Sequence, residues 1–293
     1  MNYKTPQTTS LSFEFFPPHN ADASARLLRS VERLAPLGPK YVSVTYGAGG
    51  TTRERTVSAI KTIQDRARLC VAGHLTVVGA SKAETLEVAR GYAAMGVRRI
   101  VALRGDAPKG QDKFTAHPDG FKNAVELVTG LKDVGNFDIS VAAYPEKHPD
   151  SSDMKTEIEN LKRKIDAGAS SAITQFFFEN EDFLRYRDMA ANAGITAPII
   201  PGILPVENFT KMLSFAEMCQ AKVPEWMHQA FRNAGNEAEI LATAICADQC
   251  DELQAEGVDH LHFYTLNNPD LVYNICRALG FDAVGVDLAA SVA

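Results

Sequence analysis

The chain has 293 residues, 45% hydrophobic and 23% charged, with a net charge of −6 at pH 7. This is the composition of an ordinary globular protein, and the acidic balance argues against a nucleic-acid-binding surface. No run of about 18 apolar residues is present and the start, MNYKTPQTTS, lacks an apolar leader core, so neither a membrane span nor a secretory signal is expected and the expected location is the cytoplasm.

In chain order, residues 1–10 read as a flexible polar tail, followed by a β-rich run at 11–17, LSFEFFP, and a helical pattern at 21–35. The alternation then repeats. Strand-like runs fall at 41–47 (YVSVTYG), 71–77 (VAGHLTV), 98–106 (RRIVALRGD), 138–145 (DISVAAYP), 171–178 (SAITQFFF), 198–205 (PIIPGILP) and 260–266 (HLHFYTL). Helical patterns fall between them at 53–67, 82–96, 122–135, 155–168 and 181–194, several ending in glycine. Residues 207–256 hold more than one helix, and a last helix is expected at about 269–279. Five cysteines, at 70, 219, 246, 250 and 276, lack zinc-site spacing and read as reduced thiols. Cys246 and Cys250 share a helix face and read as packing.

Eight strand–helix units predict a single (β/α)8 barrel over residues 11–293, with extra helix between strands seven and eight. A doubly wound open sheet is the competing architecture. It usually carries G-x-G-x-x-G after the first strand, where this chain has FFPPHN.

In such barrels chemistry gathers at the C-terminal strand ends. Those ends offer Glu14, then Thr45 and Tyr46 before a Gly-rich GAGGTT, then His74 and Thr76. Next come Arg104, Gly105 and Asp106, then Tyr144 with His148, then Gln175, and finally His262 and Tyr264. Each has a plain structural alternative: an ion pair at the mouth for Arg104 and Asp106, a satisfied core histidine for His74, rim packing for Tyr144. Glu14 is the sharpest candidate. Flanked in sequence by Phe13, Phe15 and Phe16, it is expected to be partly desolvated, with its carboxyl pKa raised toward neutrality, as a general acid requires. No strand end carries a lysine for a Schiff base. His260 and His262 have same-face spacing, but the usual early H-x-H pair is absent, so no catalytic metal is expected and a metal-dependent lyase is only one alternative. An oxidoreductase and a non-redox binding barrel are the others.

The motifs SFEFFPP, VSVTYGAGG, HLT, VALRGD, DISVAAYPEKHP, LKRKIDAGA, ITQFFF, IIPGILP and HFYTLN, in this order from about residue 11 to 280, resemble bacterial methylenetetrahydrofolate reductases. The resemblance implies a barrel that binds FAD at its C-terminal face and reduces 5,10-methylenetetrahydrofolate to 5-methyltetrahydrofolate. NADH is the implied reductant, with NADPH open, in ping-pong kinetics and in the service of methionine synthesis. It implies Glu14 as the acid that protonates the folate during ring opening, leaving an iminium that accepts hydride. It implies Asp106 as an electrostatic partner of flavin and folate. FAD contacts carried over are Tyr46, His74, Arg104, Gly105, Asp106, Ala124, Tyr144 and His148, with Glu157, Asn160, Arg163 and Lys164 along one helix face. Substrate contacts carried over are Glu14, Thr45, Asp106, Gln175, Phe215 and Tyr264.

Two positions depart from the family pattern. Asn268 stands where many relatives have an arginine that pairs with the folate glutamate tail, and Lys211 stands in place of a glutamine. Lys211 is expected to supply the missing positive charge. Asn123 stands where an aromatic residue near the adenine is usual, and the 107–120 loop is long. The resemblance also implies a homodimer or homotetramer, and no adenosylmethionine-sensing domain is expected.

Overall fold

The computed structural model describes residues 9–46, 53–107 and 114–283. Most of the expected N-terminal tail and the GAGGTT segment lie outside the described residues. Among the described residues nine strands, all parallel, form one sheet in the order β7-β6-β5-β4-β3-β2-β1-β9-β8. They are β1 (Ser10–Phe15), β2 (Tyr41–Val44), β3 (Val71–Thr76), β4 (Arg99–Leu103), β5 (Asp138–Ala143), β6 (Ser171–Thr174), β7 (Ile199–Ile200), β8 (Gly202–Ile203) and β9 (His260–Tyr264).

The count reaches nine because the expected seventh strand is cut in two, into β7 and β8. Pro201 has no N–H to offer a ladder, so the run breaks there. Ile199–Ile200 pairs with β6 and Gly202–Ile203 pairs with β9, while the Pro201 carbonyl still accepts the His262 N–H at 3.1 Å. The two short pieces together bridge β6 to β9 and bring the sheet round into a nearly closed barrel. Gly202 is fixed by this crossing, because a Cβ there would run into the Thr174 carbonyl and the Tyr264 ring.

Ten helices alternate with the strands among the described residues: α1 (Ala21–Leu34), α2 (Arg53–Ala67), α3 (Lys82–Ala94), α4 (Ala124–Lys132), α5 (Met154–Asp166), α6 (Asn180–Asn192), α7 (Phe209–Cys219), α8 (Glu225–Ala234), α9 (Ala238–Ala255) and α10 (Pro269–Ala278). Their starts are set by side chains that accept orphan backbone N–H groups. Asn20 accepts from Ala23, Asn123 from Glu126, Asp153 from Thr156 and Asn208 from Lys211. Ser81 and Glu84 form a reciprocal capping box. The interval between the last two full staves carries three helices, α7 to α9, as the sequence pattern indicated.

Alternation along each strand sorts side chains to two sides. Leu11, Phe13 and Phe15 join Val42, Val44, Leu75 and the helix residues Leu27, Val31 and Ile60 in the outer core. Tyr41, Ala72, Val101, Ile173 and Ile200 form a separate small cluster inside the ring. Ser12, Glu14, His74, His260 and His262 alternate with outer-core residues, so they face inward. Cys246, Cys250 and Cys276 are free and buried in the outer layer, as expected.

Candidate active site

Glu14 sits at the C-terminal end of β1 with 15% of its side chain exposed. Its Oε2 lies 3.2 Å from His74 Nε2 on β3 and 3.6 Å from His262 Nε2 on β9. Ser43 Oγ on β2 donates to the same oxygen at 3.5 Å. Four staves thus converge on one carboxylate. Neither imidazole Nε2 makes a well-directed hydrogen bond, and both are buried. The contacts are therefore short electrostatic ones, open to improvement if the carboxylate turns.

The cluster continues down the barrel. His262 Nδ1 is 2.7 Å from Ser12 Oγ, and Ser12 Oγ is 2.9 Å from His260 Nε2. Tyr41 packs edge-on against His260 and stacked on His262. Burial, with His262, Lys40 and Arg99 nearby, pushes the His260 imidazole down to about 3, so it is neutral at pH 7.

The expected raised pKa of Glu14 is overturned. Burial does push the carboxyl up, but His74 and His262 outweigh it and hold the group at about 2. The sequence reading placed Glu14 among phenylalanines. Phe13 and Phe15 point to the helix layer and Phe16 is 43% exposed, so the glutamate meets imidazoles instead. Glu14 is therefore ionised at pH 7.

The other strand-end residues fall in two groups. Tyr264 is on the Glu14 side: its hydroxyl donates to the Thr174 carbonyl at 2.6 Å, and burial raises its pKa well above the usual value. Thr45 N–H donates to Phe15 C=O and its carbonyl accepts from Thr56, which locks β2 beside β1. Asp106 is exposed and makes no direct contact with Glu14 among the described residues; its charge is felt at Tyr144 and Cys219. Gln175 turns its Oε1 back to the Phe176 N–H at 3.0 Å. With Tyr144, Glu146, Cys219 and Ala221 it lines a cleft of about 10 Å³, room for little more than one water. Phe215 stacks on Phe176 with centroids 5.4 Å apart.

The second group surrounds the ends of β4 and β5. Arg104 forms an ion pair with Asp150 at 2.7 Å and lies over Phe114. Gly105 has φ +84, and a Cβ there would strike Val78. Tyr144 and His148 meet edge-to-face at 4.6 Å, and burial with the Arg104 charge lowers the His148 pKa. Glu157 is buried and accepts from Ser151 Oγ at 2.7 Å and from His148 N–H at 3.4 Å. Lys164 donates to the Ala142 carbonyl at 2.6 Å, and burial pushes its amine down to about 8. Asn160 and Arg163 bond to each other, Arg163 out in solvent. The helix face read as one wall is thus divided: Glu157 and Lys164 turn inward, Arg163 outward. Ala124 opens α4, Tyr46 accepts from Arg53 at 3.3 Å, Lys211 is exposed in the first turn of α7, and Asn268 precedes α10 in a cleft that Glu207 also lines.

Ser12, Ser43 and Thr265 were not singled out from sequence. The signal for Ser12 was available: a small hydroxyl two residues before Glu14 must share its face and meet whatever the neighbouring strand presents there.

The Methylenetetrahydrofolate reductase family profile matches residues 2–280. A 5,10-methylenetetrahydrofolate reductase of Escherichia coli (strain K12) is 48% identical over 274 residues, 92% of this chain and 90% of that one. Methylenetetrahydrofolate reductase (NADH) 1 of Arabidopsis thaliana is 33% identical over 286 residues, 93% of this chain and 48% of that one. Among solved structures, a Clostridium thermocellum protein that binds two copies of 5-methyl-5,6,7,8-tetrahydrofolic acid superposes with TM-score 0.60 at 16% identity, covering 92% of this chain and 94% of that one. At that identity the likeness is one of fold.

Proposed function

The chain belongs to the methylenetetrahydrofolate reductase family, a family of oxidoreductases, and from that premise we propose that Glu14 is the proton donor of the reaction. The proposed turnover consumes 5,10-methylenetetrahydrofolate, NADH and one proton, and gives 5-methyltetrahydrofolate and NAD⁺. NADH is favoured over NADPH because the Arabidopsis relative is the NADH enzyme. FAD, when bound, supplies the two-electron link between the two substrates.

The ends of β3 to β5 fit such a group. Thr76 Oγ1 is buried without a hydrogen-bond partner, and Gly105 leaves the backbone bare beside it. Arg104, His148 and Lys164 bring positive or donor groups to the same side, suited to phosphates, while Glu157 braces the His148 backbone. Asp106 adds a negative charge there, which favours a cationic folate.

The observation that carries the reading is the carboxylate of Glu14 held between His74 and His262 at the barrel mouth. As the five-membered ring of the folate opens, the departing nitrogen takes a proton from Glu14. The carbon left behind is an iminium, and hydride addition there completes the methyl group. Because Glu14 is ionised at rest, the acid is the Glu14–imidazole couple. A proton reaching His262 passes to the carboxylate when substrate excludes water, and Ser12 with His260 offers a route for its replacement. Gln175, Thr45, Phe215 and Tyr264 are proposed to orient folate or nicotinamide. Lys211, exposed in the first turn of α7, is proposed to meet the tail carboxylate.

The test is the two half-reactions of Glu14→Gln. NADH should still bleach the flavin at its normal rate, because that hydride transfer needs no proton from Glu14. Reoxidation by methylenetetrahydrofolate should slow by roughly 10²-fold or more. Equal loss in both would make Glu14 structural.

A further inference from the structure

The end of β1 is tied to the β9–α10 turn by a side chain that the reaction above does not use. The β1–β9 ladder runs as far as Glu14 opposite Tyr264. Beyond that point Thr265 takes over, its N–H and Oγ1–H both donating to the Glu14 carbonyl, at 3.3 Å and 2.6 Å. Two residues on, the Asn267 amide grips the Phe16 backbone at both ends. Its Oδ1 accepts the Phe16 N–H at 2.9 Å and its Nδ2 donates to the Phe16 carbonyl at 3.0 Å. The amide stands in for a strand residue and extends the sheet past its last paired position.

This grip needs an unusual backbone. Leu266 and Asn267 have φ of +49 and +57, both left-handed. Asparagine adopts that region more readily than most residues, whereas leucine does not. Consecutive strained residues persist where the surroundings over-determine them. Here the Asn267 N–H donates to Thr265 Oγ1 at 3.1 Å, its carbonyl accepts from Ser30 Oγ on α1 at 3.0 Å, and the Asn268 N–H closes on the Thr265 carbonyl at 2.8 Å.

We propose that Asn267 is a positioning residue for Glu14: its two-point grip on Phe16, with the Thr265 contacts on the Glu14 carbonyl, holds the strand end so that the carboxylate stays between His74 and His262. The proposal rests on the reading of Glu14 as the acid. Glu14 is the last but one residue of β1, and strand ends fray. Phe16, half exposed, has little packing of its own to stop that. A displacement of about 1 Å at a catalytic group is enough to cost roughly 10²-fold in rate.

Two variants of the full chain separate grip from backbone. Asn267→Gly keeps the left-handed conformation accessible and removes the grip. Asn267→Asp keeps an acceptor for the Phe16 N–H and loses the donor. The first readout is the NMR chemical shifts of the His74 and His262 ring protons at one fixed pH, which needs no cofactor. In Asn267→Gly both sets should move from the wild-type positions toward those of Glu14→Gln, with Asn267→Asp between. The second is a double-mutant cycle on NADH-dependent methylenetetrahydrofolate reduction. Asn267→Gly should lower turnover roughly tenfold in the wild-type background and less than about twofold in Glu14→Gln, because it acts through that residue. If Asn267→Gly does not fold, Asn267→Asp carries both readouts. Wild-type ring-proton shifts, or equal losses in both backgrounds, would overturn the proposal. Full turnover in Glu14→Gln would instead remove the acid reading, and the ring-proton shifts would still decide whether Asn267 sets the position of Glu14.

Discussion

The Glu14 cluster and the inner face of α5 present similar residue types, yet they are built differently. Around Glu14 every participant stands on a strand whose neighbours are hydrogen-bonded on both sides, and the carboxylate is reached from β1, β2, β3 and β9 at once. On α5 the participants stand on one helix and turn in two directions, Glu157 and Lys164 inward and Arg163 to solvent. A ring of strands fixes position to a fraction of an ångström. A single helix fixes only spacing, and leaves each side chain to find its own partner.

That contrast can be broken by substitution, beginning with Glu14→Gln, whose roughly 10²-fold loss confined to the folate half-reaction is the largest effect expected. Next, Gly202→Ala should destabilise the chain by about 3 kcal/mol, since the added methyl meets backbone at the seam of the strand ring; an unchanged urea midpoint would mean the ring is softer than argued. On the α5 side, Lys164→Met should raise the FAD dissociation constant about tenfold, ~1.4 kcal/mol, by fluorescence titration. Arg163→Ala, one residue away, should move FAD affinity less than about threefold and stability within about 0.5 kcal/mol. Equal effects from the two would restore the undivided wall.

A pH measurement sharpens the strand side. His260 is pushed from 6.5 to about 3 in the folded chain, so the unfolded chain binds the extra proton first. The stability it contributes is complete above about 6.5 and is lost as pH falls toward 3, with a slope of at most ~1.4 kcal/mol per pH unit. His260→Asn should flatten the difference between urea midpoints at pH 7.5 and pH 5.

The barrel was legible in the sequence because strand-sized and helix-sized patterns alternate with few interruptions. The cut in the seventh stave was not, although Pro201 stood in plain view, because a proline says where a ladder breaks and not that both halves still pair. Glu14 was legible as a polar residue in an apolar run. Its partners were not, since they lie 60 and 248 residues away and only the register of β1 with β9, and of β2 with its neighbours, brings them together. The phenylalanines beside Glu14 misled for the same reason: neighbours in sequence are opposites across a strand. Spacing grouped the four α5 residues into one wall, but which of them turns inward and which outward depends on carbonyls and hydroxyls of β5 and its loop.

Ser12 has one proton and two imidazole neighbours. If the hydroxyl points at His262, that ring is bare at Nδ1 and carries its hydrogen toward Glu14, which suits a carboxylate. If it points at His260, a neutral His262 turns a lone pair on Glu14, and only a protonated glutamate can face it. The direction of one hydroxyl at the heart of the barrel is therefore coupled to the charge at the mouth.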